Sequence, residues 1–349
     1  MTAADVRSAV RLAKVPREGA EQLRKRLARR GMVQKDRRIF DRDGFVLIPL
    51  ADTADLSFVA ELGGEVVEGE AVHRTTYRSP YEVVLETVNL PEVLKPRLPR
   101  RFELLGDVVL VRLPPELLPY RKEIGRAYAH ALGARTVVRE SALIHGAFRA
   151  PEVEILYGNG TETVHFENGI YYKLDVSKVM FSSGNIDEKL HMASLDCRGE
   201  TVVDMFAGIG YFTLPLAVHA KASRIIACEI NPDAFHYLQE NVRLNGVEDI
   251  VEPFHGDNRE LLGEGIADRV VMGYVGTTHR FLPKAFSLVK KGGVIHYQDT
   301  FPLVVFPQQA YDRLDTAAGT RSYQILRVHE VKSYSPGVSH MVMDVLVMD

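Results

Sequence analysis

The hydrophobic pattern of this 349-residue chain changes character along its length. Near the start, Ala9-Val10-Arg11-Leu12-Ala13 alternates apolar and polar positions and reads as a strand. From Gly19 to Arg30, Ala20, Leu23, Leu27 and Ala28 recur at helical spacing with arginines around them, and Gly31 offers a C-cap. Residues 37–40 and 44–49 read as a hairpin, which makes 1–70 a small α+β module. Asp52 to Glu92 is acidic and irregular and reads as a connector, with 71–96 as the linker. A mixed α+β module over 97–178 follows. It is expected to hold a strand over 102–111, a helix over 116–132 and a strand over 136–139. Residues 151–157 and 163–174 then alternate as a strand pair around Gly158-Asn159-Gly160.

From about Val176 the pattern becomes regular. Apolar runs near 201–206, 224–229, 250–254, 268–273 and 293–297 are separated by helical stretches, as in a parallel sheet covered on both faces. The last two runs, 323–331 and 340–347, follow one another across Pro336-Gly337 and predict an antiparallel pair at the sheet edge. The expected fold is α/β: a Rossmann-like doubly wound sheet with an antiparallel edge hairpin over 179–349, preceded by small α+β domains. Five strands plus such a hairpin are the layout of class I transferases that use S-adenosylmethionine (SAM).

The chemistry is concentrated at three strand ends. The run Thr201–Phe206 opens into Ala207-Gly208-Ile209-Gly210 and a helix start, the form of a nucleotide-binding βα unit. Gly208 and Gly210 let the backbone turn tightly and approach a ligand closely. Asp204 precedes them, where a carboxylate can face a cationic ligand. Glu229 ends the next run 25 positions later, where it can take both ribose hydroxyls of an adenosine. Asp257 and Asn258 end the third run and can meet an adenine edge. Asp, Glu and Asp-Asn at consecutive strand ends describe a SAM site better than an NAD site.

Composition adds a charge asymmetry. Residues 1–40 carry 12 Lys/Arg against 4 Asp/Glu and residues 97–150 carry 10 against 5, whereas 151–349 carry 17 against 26. Basic segments joined to an acidic catalytic half suggest a polyanionic substrate held by the N-terminal part. No apolar run approaches the roughly 18 residues needed to span a membrane. The arginine-rich start lacks the apolar core of a secretory signal. Cys197 and Cys228 lie in or beside expected core strands and read as packed thiols. A cytoplasmic, monomeric protein without a metal is the expectation.

The segment VMFSSGNIDEKL from Val179, followed by DMFAGIGYF, ACEINP, ENVRLNGV and GDNRE, resembles the tRNA guanine-37 modifying enzymes. These include the N1-methyltransferases and their relatives in wybutosine synthesis. The N-terminal AKVPREGAEQLRKRL, DRRI and GFVLIP also resemble that family's small tRNA-docking domain, so the resemblance covers nearly the whole chain. The methyltransferase branch has an Asn-Leu-Pro-type tripeptide after its fourth strand, where this chain reads Gly273-Tyr274-Val275. MGYV with Thr278-His279 is similar to the archaeal branch that transfers a 3-amino-3-carboxypropyl (acp) group. That resemblance implies transfer of SAM's amino-acid arm to C7 of 4-demethylwyosine at position 37 of tRNA(Phe), leaving methylthioadenosine. The partner implied is the anticodon loop and body of that tRNA. The N1-methyltransferase is the competing reading, and a non-catalytic tRNA-binding protein is a third.

The resemblance further marks Ser182, Lys189, Glu229, Asp257 and Asn258 as SAM-binding positions, with Lys189 facing SAM's carboxylate. Ser182 has a helix cap as its other reading. His279 and His296 stand at or after strand ends near the expected base pocket, where either can accept the proton released from C7. Tyr211, Phe212 and Tyr274 can stack on the tricyclic base, with Phe212 the most suited to a helix core.

Overall fold

The computed structural model of the protein describes residues 7–73, 78–140 and 151–349. The chain divides into two compact units, 1–79 and 80–349.

The first unit runs β1 (Arg7–Pro16), α1 (Arg17–Arg29), β2 (Phe40–Arg42), β3 (Phe45–Pro49), α2 (Leu56–Glu61) and β4 (Glu65–Val72). Its sheet has the order β2-β3-β1-β4, antiparallel throughout. Ala20, Leu23 and Leu27, three and four residues apart, bury the inner stripe of α1 against Ala13, Val15, Ile48 and Val59. The acidic stretch 52–92, expected to be irregular, is in fact structured. Asp55 accepts N–H bonds from Ser57 and Phe58 and starts α2, and β4 pairs along β1. Pairing with β1 supplied what the exposed, acidic face of β4 hid from a one-dimensional pattern.

The second unit begins with α3 (Pro80–Thr87) and the four-stranded sheet β5 (Phe102–Leu105), β6 (Val108–Val111), β7 (Thr136–Glu140) and β8 (Val153–Tyr157), with α4 (Arg121–Leu132) before β7. The single strand expected over 102–111 is a hairpin, turned at Gly106 with φ 54°. The helix expected from 116 opens as a 3-10 turn around Pro119 and becomes α-helical only at Arg121. The strand pair expected across Gly158-Asn159-Gly160 does not form. β8 pairs with β7, while β9 (Glu162–Glu167) pairs with β10 (Ile170–Asp175) across Asn168-Gly169. Both residues of that second turn have positive φ, 50° and 76°, the signature of a tight hairpin that the Asn-Gly pair favours.

The remainder runs α5 (Ile186–Ser194), β11 (Thr201–Asp204), α6 (Thr213–Val218), β12 (Arg224–Glu229), α7 (Pro232–Leu244), β13 (Val251–His255), β14 (Ala267–Met272), α8 (Leu282–Leu288), β15 (Val289–Pro302), α9 (Gln308–Ala318), β16 (Tyr323–Ser335) and β17 (Val338–Val347). These strands form a seven-stranded sheet ordered β13-β12-β11-β14-β15-β17-β16. The first five are parallel, and β17 and β16 close the edge antiparallel, as the hydrophobic pattern implied. Val202, Val203, Ile225, Ala227, Val270 and Val271 are fully buried, as expected of strands covered on both faces.

Candidate active site

Strand order reverses between β11 and β14, and open α/β sheets bind ligands beyond the carboxyl ends of strands at such a point. A cleft of about 340 Å³ lies there, lined from the ends of β11, β12, β13 and β14. After β11 the chain turns through Gly208, at φ 58°, whose N–H is donated to Glu229 Oε2 at 2.8 Å. A Cβ on Gly208 would strike the Tyr211 ring at 2.7 Å. The Asn231 N–H is donated to Glu229 Oε1 at 2.7 Å. Burial pushes the Glu229 carboxyl above the usual range, and the N–H bonds from Asn231 and Gly208 pull it back. Two N–H bonds leave a carboxylate with lone pairs to spare for a ligand's hydroxyls.

Asp257 and Asn258 follow β13 on the same cleft. The Arg259 guanidinium holds the Asp257 carboxyl below its ordinary value, and Arg259 also lies 5.1 Å over the Phe281 ring. Buried Asn258 donates Nδ2–H to the Met205 carbonyl at 2.7 Å. Its Oδ1 has no partner. A buried acceptor without a donor is unfavourable, and a ligand amino group such as that of adenine satisfies it. The cleft thus fits an adenosyl compound on two counts: a ribose-competent carboxylate and an orphaned acceptor.

The opposite wall is aromatic. Tyr274 stacks on Phe206 with centroids 5.1 Å apart and an interplanar angle of 18°, and Phe281 meets Phe206 edge-on at 5.0 Å. Gly273 precedes Tyr274 because a Cβ there would come within 2.5 Å of the Phe212 ring. Behind this wall the fully buried Asp299 of β15 accepts the Gly276 N–H at 2.8 Å, the His279 N–H at 3.3 Å, the Tyr297 hydroxyl at 3.0 Å and Arg313 at 3.1 Å.

Several expected site residues stand elsewhere. Asp204 is fully buried beneath the glycine turn, where it accepts the Thr213 hydroxyl at 2.8 Å and the Phe206 N–H at 3.2 Å. Those bonds brace the turn, Asp204 does not line the cleft, and burial pushes its carboxyl up to about 6. Gly210, at φ 105°, packs on Leu214 and likewise does not line it. Lys189 is buried, pairs with Glu167 and lies 4.6 Å over the Phe181 ring, away from the cleft wall. Burial lowers its pKa. His279 also stays off the cleft wall, its Nδ1 3.3 Å from Asp299. His296 is buried inside the sheet, with Nδ1 2.6 Å from Asp344 and Nε2 2.9 Å from an Arg269 nitrogen. Its burial between two charged partners leaves no path to a base. Phe212 is core, and the Tyr211 hydroxyl is donated to the Met180 carbonyl. Ser182 lines the cleft and makes no capping bond.

Residues that sequence reasoning missed include Phe206, Phe281, Arg259 and Asp299. Arg259 had a visible signal in its place two residues after Asp257; Asp299 had none, since most of its partners lie 14 to 23 residues away. Among the described residues, no group of His, Cys, Asp or Glu is placed to hold a metal ion, and no helix is long and apolar enough to cross a membrane.

Sheet order, glycine turn and cleft define a class I SAM-dependent transferase. Residues 163–326 match the TRM5/TYW2 methyltransferase domain, 82–161 the TYW2 N-terminal domain and 13–58 the tRNA methyltransferase 5 N-terminal domain. A tRNA(Phe) (4-demethylwyosine(37)-C(7)) aminocarboxypropyltransferase of Pyrococcus horikoshii is 47% identical over 260 residues, which span 74% of this chain and 93% of that relative. The crystal structure of P. horikoshii TYW2 in complex with MeSAdo aligns with a TM-score of 0.69 at 44% identity, over 77% of this chain and 98% of that one. Trm5b from Pyrococcus abyssi aligns with a TM-score of 0.75 at 34% identity, over 97% of this chain and all of that one. The chain belongs to the TRM5/TYW2 family of tRNA-modifying enzymes.

Proposed function

We propose that this chain transfers the 3-amino-3-carboxypropyl group of SAM to C7 of 4-demethylwyosine at position 37 of tRNA(Phe), releasing methylthioadenosine. The observation that carries the reading is the 47% identity to the P. horikoshii aminocarboxypropyltransferase over 93% of its length. Gly273 and Tyr274 on the cleft wall, with Val275 after them in place of the methylating tripeptide, agree with it.

SAM's sulfonium makes all three attached carbons electrophilic, so geometry selects the group. The C7 electron pair attacks Cγ of the arm, the Cγ–S pair returns to sulfur, and the C7 proton passes to solvent water. Transfer needs Cγ about 3–3.5 Å from C7 and in line with the breaking bond. Glu229 holds the ribose, Asn258 and Asp257 the adenine, and the Phe206–Tyr274 pair borders the incoming base. Among the described residues neither His279 nor His296 lines the cleft. The basic N-terminal unit docks the tRNA body, and the enzyme works as a cytoplasmic monomer.

SAM labelled separately in its methyl and carboxyl groups tests this reading. Carboxyl label entering tRNA is the expected result. Methyl label alone would select N1-methylation, which the match of 13–58 to the tRNA methyltransferase 5 N-terminal domain makes the second reading.

A further inference from the structure

The sheet end that carries the cleft also carries an apolar projection that the transfer reaction does not use. β14 and β15 run parallel, and their last paired residues are Met272 and Tyr297. β14 then gives way to Gly273 and Tyr274 of the cleft wall, whereas β15 continues to Pro302. At the rise of an extended strand, that takes β15 up to about 16 Å past the end of β14. There Leu303-Val304-Val305 turns the chain, and the Leu303 N–H is donated to the Gly337 carbonyl at 2.9 Å. That bond joins the tip of β15 to the turn between β16 and β17. Leu303, Val304 and Val305 are exposed, Val304 at 91%, and so is Tyr334 near the end of β16. Phe306 meets the fully buried Phe301 at 5.4 Å, so the tip is rooted in the core. A single exposed apolar residue means little, but four gathered at two joined turns form a patch. Residues 302–311 and 333–339 include no Asp, Glu, Lys or Arg, although 151–349 carry 26 acidic side chains.

We propose that this tip holds the anticodon-loop bases next to position 37, Tyr334 by stacking and Leu303 and Val304 by apolar contact. The proposal rests on reading the cleft as the place where the base at that position reacts. A base that enters the cleft leaves its stack, and its neighbours lose a stacking partner. Unstacked bases offer apolar faces, which aromatic and aliphatic side chains cover. A polyanion that approaches the acidic half is repelled by carboxylates, and the uncharged tip is free of that repulsion. A second copy of the chain is the weaker occupant, since four side chains fall well short of the surface a stable dimer buries.

The test uses the full chain and tRNA(Phe) with 2-aminopurine, whose fluorescence falls on stacking, on one side or the other of position 37. Wild type should quench one of the two probes, and Tyr334→Ala should lose most of that quench. Leu303→Ser combined with Val304→Ser should lower kcat/KM for the tRNA about tenfold, the loss of one base contact. Methylthioadenosine affinity, Tm and the salt slope of tRNA binding should stay at wild-type values, because exposed side chains that touch no phosphate are changed. Wild-type kcat/KM and an unaltered probe in these variants would overturn the proposal. Wild type that sediments as a dimer, with monomeric and fully active variants, would assign the tip to a second copy and overturn it as well. Lost methylthioadenosine affinity would overturn it too, since the changes would then act on the adenosyl cleft. Wild type that binds the tRNA yet transfers nothing from SAM would sink the reading of the cleft, and the probe would still judge the tip.

Discussion

The Gly208 N–H points at Glu229 Oε2 from 2.8 Å, so the carboxylate at the end of β12 braces the glycine turn at the end of β11. One side chain therefore shapes the cleft and presents acceptors to it. Glu229→Ala should weaken SAM binding by about 1–3 kcal/mol, through the loss of a charged acceptor for the ribose hydroxyls. Glu229→Gln keeps one acceptor oxygen and should lose less. Calorimetric titration of both variants with SAM gives the ranking, and unchanged affinity in the alanine variant would remove Glu229 from the site.

Asp299 accepts from Gly276, His279, Tyr297, Thr300 and Arg313, on the loop and strand behind Tyr274 and on α9, and is itself fully buried. Asp299→Asn should destabilise the protein by about 1–3 kcal/mol, because an amide cannot serve all those donors. It should lower kcat/KM for tRNA at least tenfold while leaving methylthioadenosine affinity near wild type. Thermal unfolding and titration separate the two effects. Full activity with a lowered Tm would confine Asp299 to folding.

Gly273 and Tyr274 border the cleft, and Gly273 has no room for a Cβ beside Phe212. Replacing Gly273-Tyr274-Val275 by Asn-Leu-Pro should depress acp transfer about a hundredfold, since a shift of about 1 Å at the reacting centre is enough for that. Methylation should not appear in exchange, because the arm must also be re-seated. Product analysis with doubly labelled SAM reads both outcomes. Full acp transfer in this variant would make the loop a mere turn.

In the first unit Arg26, Arg29, Lys35 and Arg38 are exposed and make no ion pair among the described residues, whereas Arg17, Arg24 and Lys14 are paired. Changing those four unpaired residues to alanine should weaken tRNA binding and leave SAM binding intact. The slope of log K against log salt should shrink by about 0.9 for each phosphate that the variant no longer neutralises. An unchanged slope would make them solvated surface only.

Arg269 can only donate, so its 2.9 Å contact makes His296 Nε2 the acceptor and puts the ring proton on Nδ1, toward Asp344. Burial and the neighbouring Arg269 thus hold His296 neutral, with its pKa lowered from the usual 6.5. Below about pH 6.5 the unfolded chain binds a proton that the folded chain refuses. Stability should therefore fall with pH from there down to the lowered folded value, by up to about 1.4 kcal/mol per unit. Asp344, held low, adds its own loss only in more acidic solution. Denaturant unfolding of His296→Asn should show a flatter slope between pH 6.5 and 5. An identical slope in both proteins would clear His296 of that role.

Much of this protein can be read along one dimension. Runs such as Arg224–Glu229 are apolar because strands buried on both faces must be, and Gly208 follows β11 because only glycine turns there without striking Tyr211. The positions of Glu229 after β12 and of Asp257-Asn258 after β13, at successive strand ends on one cleft, were legible for the same reason, at a spacing the βα repeat imposes. Lys189, Asp204 and His296 carry the right chemistry at plausible spacings, and packing turned them elsewhere. Asp204 lies under the turn with Thr213, Lys189 meets Glu167 from a hairpin 22 residues earlier, and His296 meets Asp344 from β17. The pairing of β9 with β10 and not with β8 was settled the same way: Arg135 and Thr136 donate to the Asn159 carbonyl and hold the 158–160 turn against the start of β7. Local periodicity reports which face of an element is buried. Which charge answers a buried charge depends on elements far apart in sequence, and no local pattern records that distance.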